Sequence, residues 1–210
     1  MNTLKNVIVD IGATGFPAGG FGVKNIKSKP YEIHLFEPRW ENISKDAPVR
    51  KELSAKGYNN DYIFLYNEAL SDKQSVTDFY LTKKANCSSL RKPNSKVLSN
   101  RKDITNYRII QVPTNTLDNI LGHLPYINYL KLDTQGSEYE ILLGASKMLL
   151  KTHQIKCETA NVETYIGQKT KNKIIDLLKT YNFEVTKTET KSSRESDIFF
   201  INKNFNETTN

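Results

Sequence analysis

Two stretches of this chain combine residue types that grip a nucleoside. Residues 7–15 read Val-Ile-Val-Asp-Ile-Gly-Ala-Thr-Gly, and 22 residues beyond Gly15 stands Glu37, within His34-Leu35-Phe36-Glu37-Pro38. An apolar strand running into a glycine turn lets the backbone approach a ligand closely, and a carboxylate ending the next strand can accept hydrogen bonds from both hydroxyls of a ribose. Further polar groups fall at the ends of other apolar runs: Asn67 and Glu68, Asp133, and Glu158, with Asp10 in the first run. Their convergence on one rim of a sheet points to a nucleoside cofactor beside a polar reaction site.

The elements that must position these residues alternate between strand and helix. Strands are expected at Asn6–Ile11, Glu32–Glu37, Tyr62–Asn67, Tyr126–Asp133 and Gln154–Glu158, with short extra strands at Asp78–Leu81 and Arg108–Val112. Asp46 and Pro48 mark a helix start, Val49 and Leu53 its inner face and Gly57 its end. Asn115-Thr116-Leu117-Asp118 reads as a capped helix start in which Asp118 is structural. One helix from Ser137 carries the stripe Ile141, Leu142, Ala145 and Leu149, and Ile174, Leu177, Leu178 and Tyr181 mark another. Phe183–Thr188 and Asp197–Ile201 form a terminal hairpin. This order predicts a mostly parallel, doubly wound α/β sheet with a C-terminal antiparallel hairpin, binding its ligands at the carboxyl ends of the strands.

At 210 residues with 38% hydrophobic content, the chain suits a single domain over 1–202 followed by a polar tail at 203–210. No apolar run approaches the length of a membrane span, and a cytoplasmic location is expected. Cys87 and Cys157 make no metal-type pair and read as reduced thiols in or near the core, while His34, His123 and His153 show no zinc spacing. The formal charge of +7 is concentrated: residues 83–102 hold Lys83, Lys84, Arg91, Lys92, Lys96, Arg101 and Lys102 with no acid. Without those seven, 23 basic residues match 23 acidic ones. The segment is either a solvated loop or an anion-attracting lip beside the site.

A dinucleotide site would need G-x-G-x-x-G after the first strand, and Gly12-Ala13-Thr14-Gly15 does not supply it. The sequence instead resembles the FkbM family of S-adenosylmethionine-dependent methyltransferases. The resemblance is carried by Asp10-Ile11-Gly12-Ala13, Phe36-Glu37-Pro38, Asn67-Glu68-Ala69-Leu70-Ser71-Asp72, Ser88-Ser89-Leu90 and Thr116-Leu117-Asp118. Its most specific part is Leu130-Lys131-Leu132-Asp133-Thr134-Gln135-Gly136-Ser137-Glu138 leading to Leu143-Gly144-Ala145. The glycine stretch departs from the family pattern D-x-G-A-N-x-G at Thr14 and Gly15.

The resemblance implies a Rossmann-like class I methyltransferase fold, S-adenosyl-L-methionine as cofactor, and O-methylation of a hydroxyl on a sugar or another small molecule. It assigns Asp10, Gly12, Ala13, Thr14, Gly15, Glu37, Pro38, Asn67, Glu68 and Ala69 to the cofactor. Asp133 is the first candidate for the base that takes the hydroxyl proton. Glu138 either shares that task, orients the acceptor, or complements the start of its helix. Ser88, Ser89, Gln135 and Glu158 are placed at the acceptor, with Glu163 and Tyr165 in a loop within reach of it. The basic segment suits an anionic acceptor, with Lys92 and Lys96 as its contacts. No ligand spacing calls for a metal, although two or three carboxylates could hold a divalent cation. Two rival readings stand: an RNA methyltransferase, which the clustered cations favour and the lack of an RNA-binding module disfavours, and a binding module of the same fold without chemistry.

Overall fold

In the computed structural model, residues 5–13, 30–39 and 48–205 are described. The chain runs β1 (Asn6–Ile11), β2 (Tyr31–Phe36), α1 (Pro48–Ala55), β3 (Ile63–Tyr66), β4 (Ala69–Leu70), β5 (Ser75–Thr82), α2 (Lys102–Thr105), β6 (Tyr107–Asn115), α3 (Leu117–Leu121) and β7 (Ile127–Leu132). It continues through α4 (Glu138–Leu143), α5 (Ser146–Leu149), β8 (Thr152–Ala160), α6 (Lys171–Lys179), β9 (Phe183–Thr190) and β10 (Glu195–Asn202).

The seven-stranded sheet has the order β3-β2-β1-β7-β8-β10-β9. The first five of these pair in parallel, and β10 is antiparallel to both neighbours, so the terminal hairpin closes one edge. Strand β1 is buried along nearly its whole length because both faces are covered, which is why it reads as a continuous apolar run. Val7, Val9 and Ile11 join the core shared with β7, β8 and the helices from α3 to α6, whereas Ile8 packs on the other side with Ile33, Leu35, Leu53 and Tyr129.

The structure departs from the sequence-based expectation in three places. The two short extra strands are longer than expected and do not extend the main sheet: β5 and β6 pair antiparallel from Ser75↔Thr114 to Thr82↔Tyr107, with β4 beside β6, as a separate three-stranded sheet. The helix expected from Ser137 is broken into α4 and α5 at Gly144-Ala145. A Cβ at Gly144 would lie 2.1 Å from the Ser71 carbonyl oxygen, and the Asp118 carboxylate caps α5 by accepting from the Lys147 and Met148 amides and the Ser146 hydroxyl. Asp118 is thus structural, but for a helix other than its own. The tail is packed at its start, where the Phe205 ring stacks on His153 with centroids 4.6 Å apart; residues 206–210 lie outside the described residues.

Cys87 and Cys157 are free thiols, both buried. No helix among the described residues is long and apolar enough to cross a membrane.

Candidate active site

The strand order reverses between β1 and β7, and the crevice beyond their carboxyl ends is where an open α/β sheet receives ligands. Gly12 makes this crevice. It leaves β1 at φ +85°, its N–H and that of Ala13 donate to the Phe36 carbonyl at 3.0 and 3.1 Å, and a Cβ there would lie 2.0 Å from the Asp133 carbonyl oxygen. Only glycine lets β1 turn so close to the end of β7. The resulting chamber holds about 440 Å³ of space, part of it open to solvent, between Gly12, Phe36, Glu37, Glu68, Ala69 and Ser137. Glu37 follows β2 and is 2% exposed, with Oε1 accepting from the Arg39 amide at 3.0 Å and its Nε at 3.1 Å. Burial pushes the Glu37 carboxyl up from the ordinary carboxylate range, and Arg39 opposes the shift.

A second, larger chamber adjoins the first through Gly12, Asn86, Asp133 and Gln135, which line both. It encloses about 1110 Å³ of partly open space. Across its floor and beneath it runs a chain of polar side chains from β1 to β10, of which Asp133, Gln135, Glu158 and Lys191 line the chamber. Asp10 Oδ1 accepts from Lys131 Nζ at 2.9 Å, and the same nitrogen lies 3.8 Å from Asp133 Oδ2. Gln135, held at φ +60°, donates from Nε2 to Asp133 Oδ1 at 3.1 Å and to Glu158 Oε2 at 2.6 Å. Its Oε1 faces the Tyr165 hydroxyl at 3.1 Å. Lys191, from the β9–β10 turn, joins Glu158 Oε1 and Asp197 Oδ1 at 2.8 Å each, and Lys156 closes the chain on Asp197 Oδ2 at 2.8 Å.

The carboxylates in this chain outnumber the lysines, and burial makes the excess charge costly. Burial pushes the Glu158 carboxyl up to about 8, reinforced by Asp133 and opposed by Lys191. Asp10, wholly buried, is also raised by burial against the pull of Lys131, and its Oδ2 has no hydrogen-bond partner among the described residues. Asp10 lines neither chamber; it lies beneath them.

Five of the ten expected cofactor residues meet in the smaller chamber: Gly12, Glu37, Pro38, Glu68 and Ala69 line it. Ala13 is buried in the core below, Asn67 is exposed just past β3 and lines neither chamber, and Thr14 and Gly15 lie outside the described residues. Asp133 and Gln135 stand at the junction, Glu158 and Tyr165 in the larger chamber, and Ser88 on the wall of the smaller. Ser89 is 1% exposed and spends its hydroxyl on the Gln135 carbonyl at 2.8 Å, fixing that turn rather than facing an acceptor. Glu163 accepts from the Gly167 amide and lines neither chamber.

Two further expectations are revised by these placements. Glu138, a candidate acid or base, is 2% exposed and directs its carboxylate at the Thr134 amide (2.8 Å), the Thr134 hydroxyl (3.0 Å) and the Gly136 amide (3.0 Å), so it ties down the Asp133–Ser137 turn instead of facing the acceptor side. The basic segment is a folded wall. Ser89 bridges to Tyr80 and Pro93 to Tyr165, Asn94 and Lys92 exchange backbone hydrogen bonds with the 162–168 loop, and Arg91 pairs with Glu140. Lys92 and Lys96 are exposed and line neither chamber, whereas Lys84 and Arg101 line the larger one. Sequence reasoning missed Lys131, Lys156, Lys191 and Asp197. A lysine inside the buried run Tyr129–Leu132 was the signal for the first; nothing local marks Lys191 as a partner of Glu158.

The sequence matches the Methyltransferase FkbM domain over residues 25–185, a stretch that begins after β1 and the Gly12 turn. Comparison with curated proteins finds no match. Among solved structures, the methyltransferase FkbM from Methylobacillus flagellatus KT is similar at a TM-score of 0.56 and 14% identity, covering 93% of this chain and 43% of that one. This chain therefore spans less than half the length of that relative. The magnesium protoporphyrin IX methyltransferase of Synechocystis PCC 6803, solved with bound SAM, is similar at a TM-score of 0.45 and 11% identity, covering 96% of this chain and 72% of that one. The mostly parallel sheet is the Rossmann-like fold of class I methyltransferases, and with the match extending over residues 25–185 of 210, this chain belongs to the FkbM methyltransferase domain family.

Proposed function

We propose that the chain is an S-adenosylmethionine-dependent O-methyltransferase acting on a hydroxyl of a sugar, glycan or other small molecule. The observation that carries this reading is the meeting of two chambers at Asp133 and Gln135, one beside the Gly12 turn and Glu37 and one wide and polar, with Asp133 and Glu158 in its lining. The smaller chamber fits the cofactor in its lining: it opens at the carboxyl ends of β1 and β2, where Gly12 brings the backbone close to the end of β7 and Glu37 offers a buried carboxylate. Glu37 would hold the ribose hydroxyls, with Pro38, Glu68 and Ala69 beside it, and the turn at Gly12 and Ala13, continued by Thr14 and Gly15, would hold the methionine end.

When bound, the cofactor supplies a methyl group already activated for transfer, so the protein's task is alignment and proton removal. Asp133, at the junction, takes the proton of the acceptor hydroxyl. Gln135 holds Asp133 at a fixed rotamer, and Glu138 and Ser89 hold the Gln135 turn. Glu158, bridged to Asp133 through the Gln135 amide, receives a second acceptor hydroxyl. The free, buried thiols of Cys87 and Cys157 suit a reducing compartment and support a cytoplasmic location. The test is methyl transfer to a panel of sugars, nucleotide sugars, lipids and RNA, with mass spectrometry of the product. Sugar hydroxyls should be methylated, and Asp133→Asn should lower kcat by about 10²–10⁴-fold. Methylation of RNA alone, or of a nitrogen or carbon, would overturn the assignment.

A further inference from the structure

We propose that the acceptor carries an anionic group, a phosphate or a carboxylate, held at the mouth of the larger chamber by Lys84 and Arg194. The inference rests on the reading that this chamber receives the acceptor. Two walls flank the mouth. One belongs to the basic segment and presents Lys84 and Arg101; the other is the β9–β10 turn and presents Arg194.

Both walls are fixed by their own backbones. The Lys84 amide donates to the Asp103 carbonyl and its carbonyl accepts from the Thr82 hydroxyl and the Cys87 amide. On the opposite wall, the Lys191 and Ser192 amides donate to the Glu195 carbonyl, the Ser192 hydroxyl oxygen accepts from the Arg194 and Glu195 amides, and the Arg194 carbonyl accepts from the Asn161 amide. These contacts set where Lys84 and Arg194 leave the chain without using their charges.

The charged groups lining the chamber differ in what they are paired with. On the floor, Asp133 and Glu158 already have Lys131 and Lys191 beside them. At the rim, Arg101 is neutralised by Asp103 through bonds of 3.0 and 2.8 Å. Lys84 and Arg194 have no ion pair among the described residues, and the one acid on the rim that is not taken up by Arg101 is Glu195. Lys84 and Arg194 are therefore left to meet an added anion, while Asp133 and Glu158 already have lysine and amide partners. An acceptor whose hydroxyl reaches the floor while its anion stays at the rim matches both sets of groups, and charge-assisted hydrogen bonds to an ammonium and a guanidinium would supply its orientation. This places the anion contacts on different residues from Lys92 and Lys96, which the sequence alone singles out.

The experiment is calorimetric titration of the full chain, with and without S-adenosylhomocysteine, using glucose 6-phosphate, glucuronate and glucose as probes. At least one charged sugar should bind about 10-fold or more tightly than glucose, with the phosphate and carboxylate arms showing which anion the rim prefers. The double substitution Lys84→Gln with Arg194→Gln should abolish that preference and leave S-adenosylhomocysteine affinity unchanged. Lys92→Gln with Lys96→Gln should leave it intact. Equal affinities for charged and neutral sugars, a preference that survives the Lys84 and Arg194 substitutions, or no binding of any probe would overturn the proposal. Failure of S-adenosylhomocysteine to bind the parent chain would instead overturn the assignment of the cofactor, and the two failures are read from separate titrations.

Discussion

Replacing Lys131 by methionine should leave Asp10 buried with a charge and no cation. The carboxyl is fully buried, and among the described residues its ion pair is with the Lys131 ammonium at 2.9 Å, an attraction of about 6 kcal/mol at an effective dielectric constant near 20. The loss cannot reach that figure, because Asp10 can escape by taking up a proton. Protonation costs about 1.4 kcal/mol for each pH unit above its ordinary value of 3.8, which caps the penalty near ~4 kcal/mol at pH 7. The sign follows from linkage: Asp10 would be neutral when folded and ionised when unfolded, so the folded variant binds more protons and loses stability as pH rises. Urea unfolding followed by circular dichroism should show Lys131→Met destabilised by up to about 4 kcal/mol at pH 7, less whatever burial already costs the parent Asp10, with the deficit widening between pH 6 and 8. Adding Asp10→Asn should restore most of the loss, since removing both charges leaves nothing unpaired. A deficit below about 1 kcal/mol, or one that neither changes with pH nor responds to Asp10→Asn, would refute the reasoning.

Three further outcomes follow from the same geometry. Because burial holds the Glu158 carboxyl near 8, against 4.5 when exposed, the folded chain binds the extra proton, and its stability should fall as pH rises from about 5 to 9; Glu158→Gln should flatten that dependence in urea titrations. Gly12→Ala should cost well over 1 kcal/mol and abolish S-adenosylhomocysteine binding, as its Cβ would meet the Asp133 carbonyl at 2.0 Å at a φ of +85°; a variant that keeps its affinity would show that the turn can yield. Methyl transfer should persist in EDTA, because Lys131 and Lys191 hold the places beside Asp133 and Glu158 that a cation would take; activity lost in chelator and restored by Mg²⁺ would contradict this.

The sheet was legible in the sequence because β1, buried along nearly its whole length, reads as a mostly apolar run, and because Gly12 and Glu37 mark where β1 and β2 end. The separate sheet of β4, β5 and β6 was not, since its pairing joins Ser75 to Thr114 across residues whose spacing carries no signal. Helical periodicity carried through Gly144 because Ile141, Leu142, Ala145 and Leu149 share a face; the break comes from the Ser71 carbonyl, a contact distant in sequence. At the site, residue type suggested chemistry for Glu138 that its hydrogen bonds assign to support of the turn. The motif around Asp133 was read for its acids, while Lys131 and Gln135, which join those acids into one network, show their role only when β1, β7 and β8 lie side by side.

Calorimetric titration of the intact chain with S-adenosylhomocysteine, repeated on Glu37→Ala, tests the central claim most directly. One equivalent should bind the parent chain, and loss of the Glu37 carboxylate should weaken binding by about 1–3 kcal/mol, or roughly 5- to 150-fold. A flat titration of the parent chain, or an alanine variant that binds as tightly, would contradict the placement of the cofactor at the ends of β1 and β2.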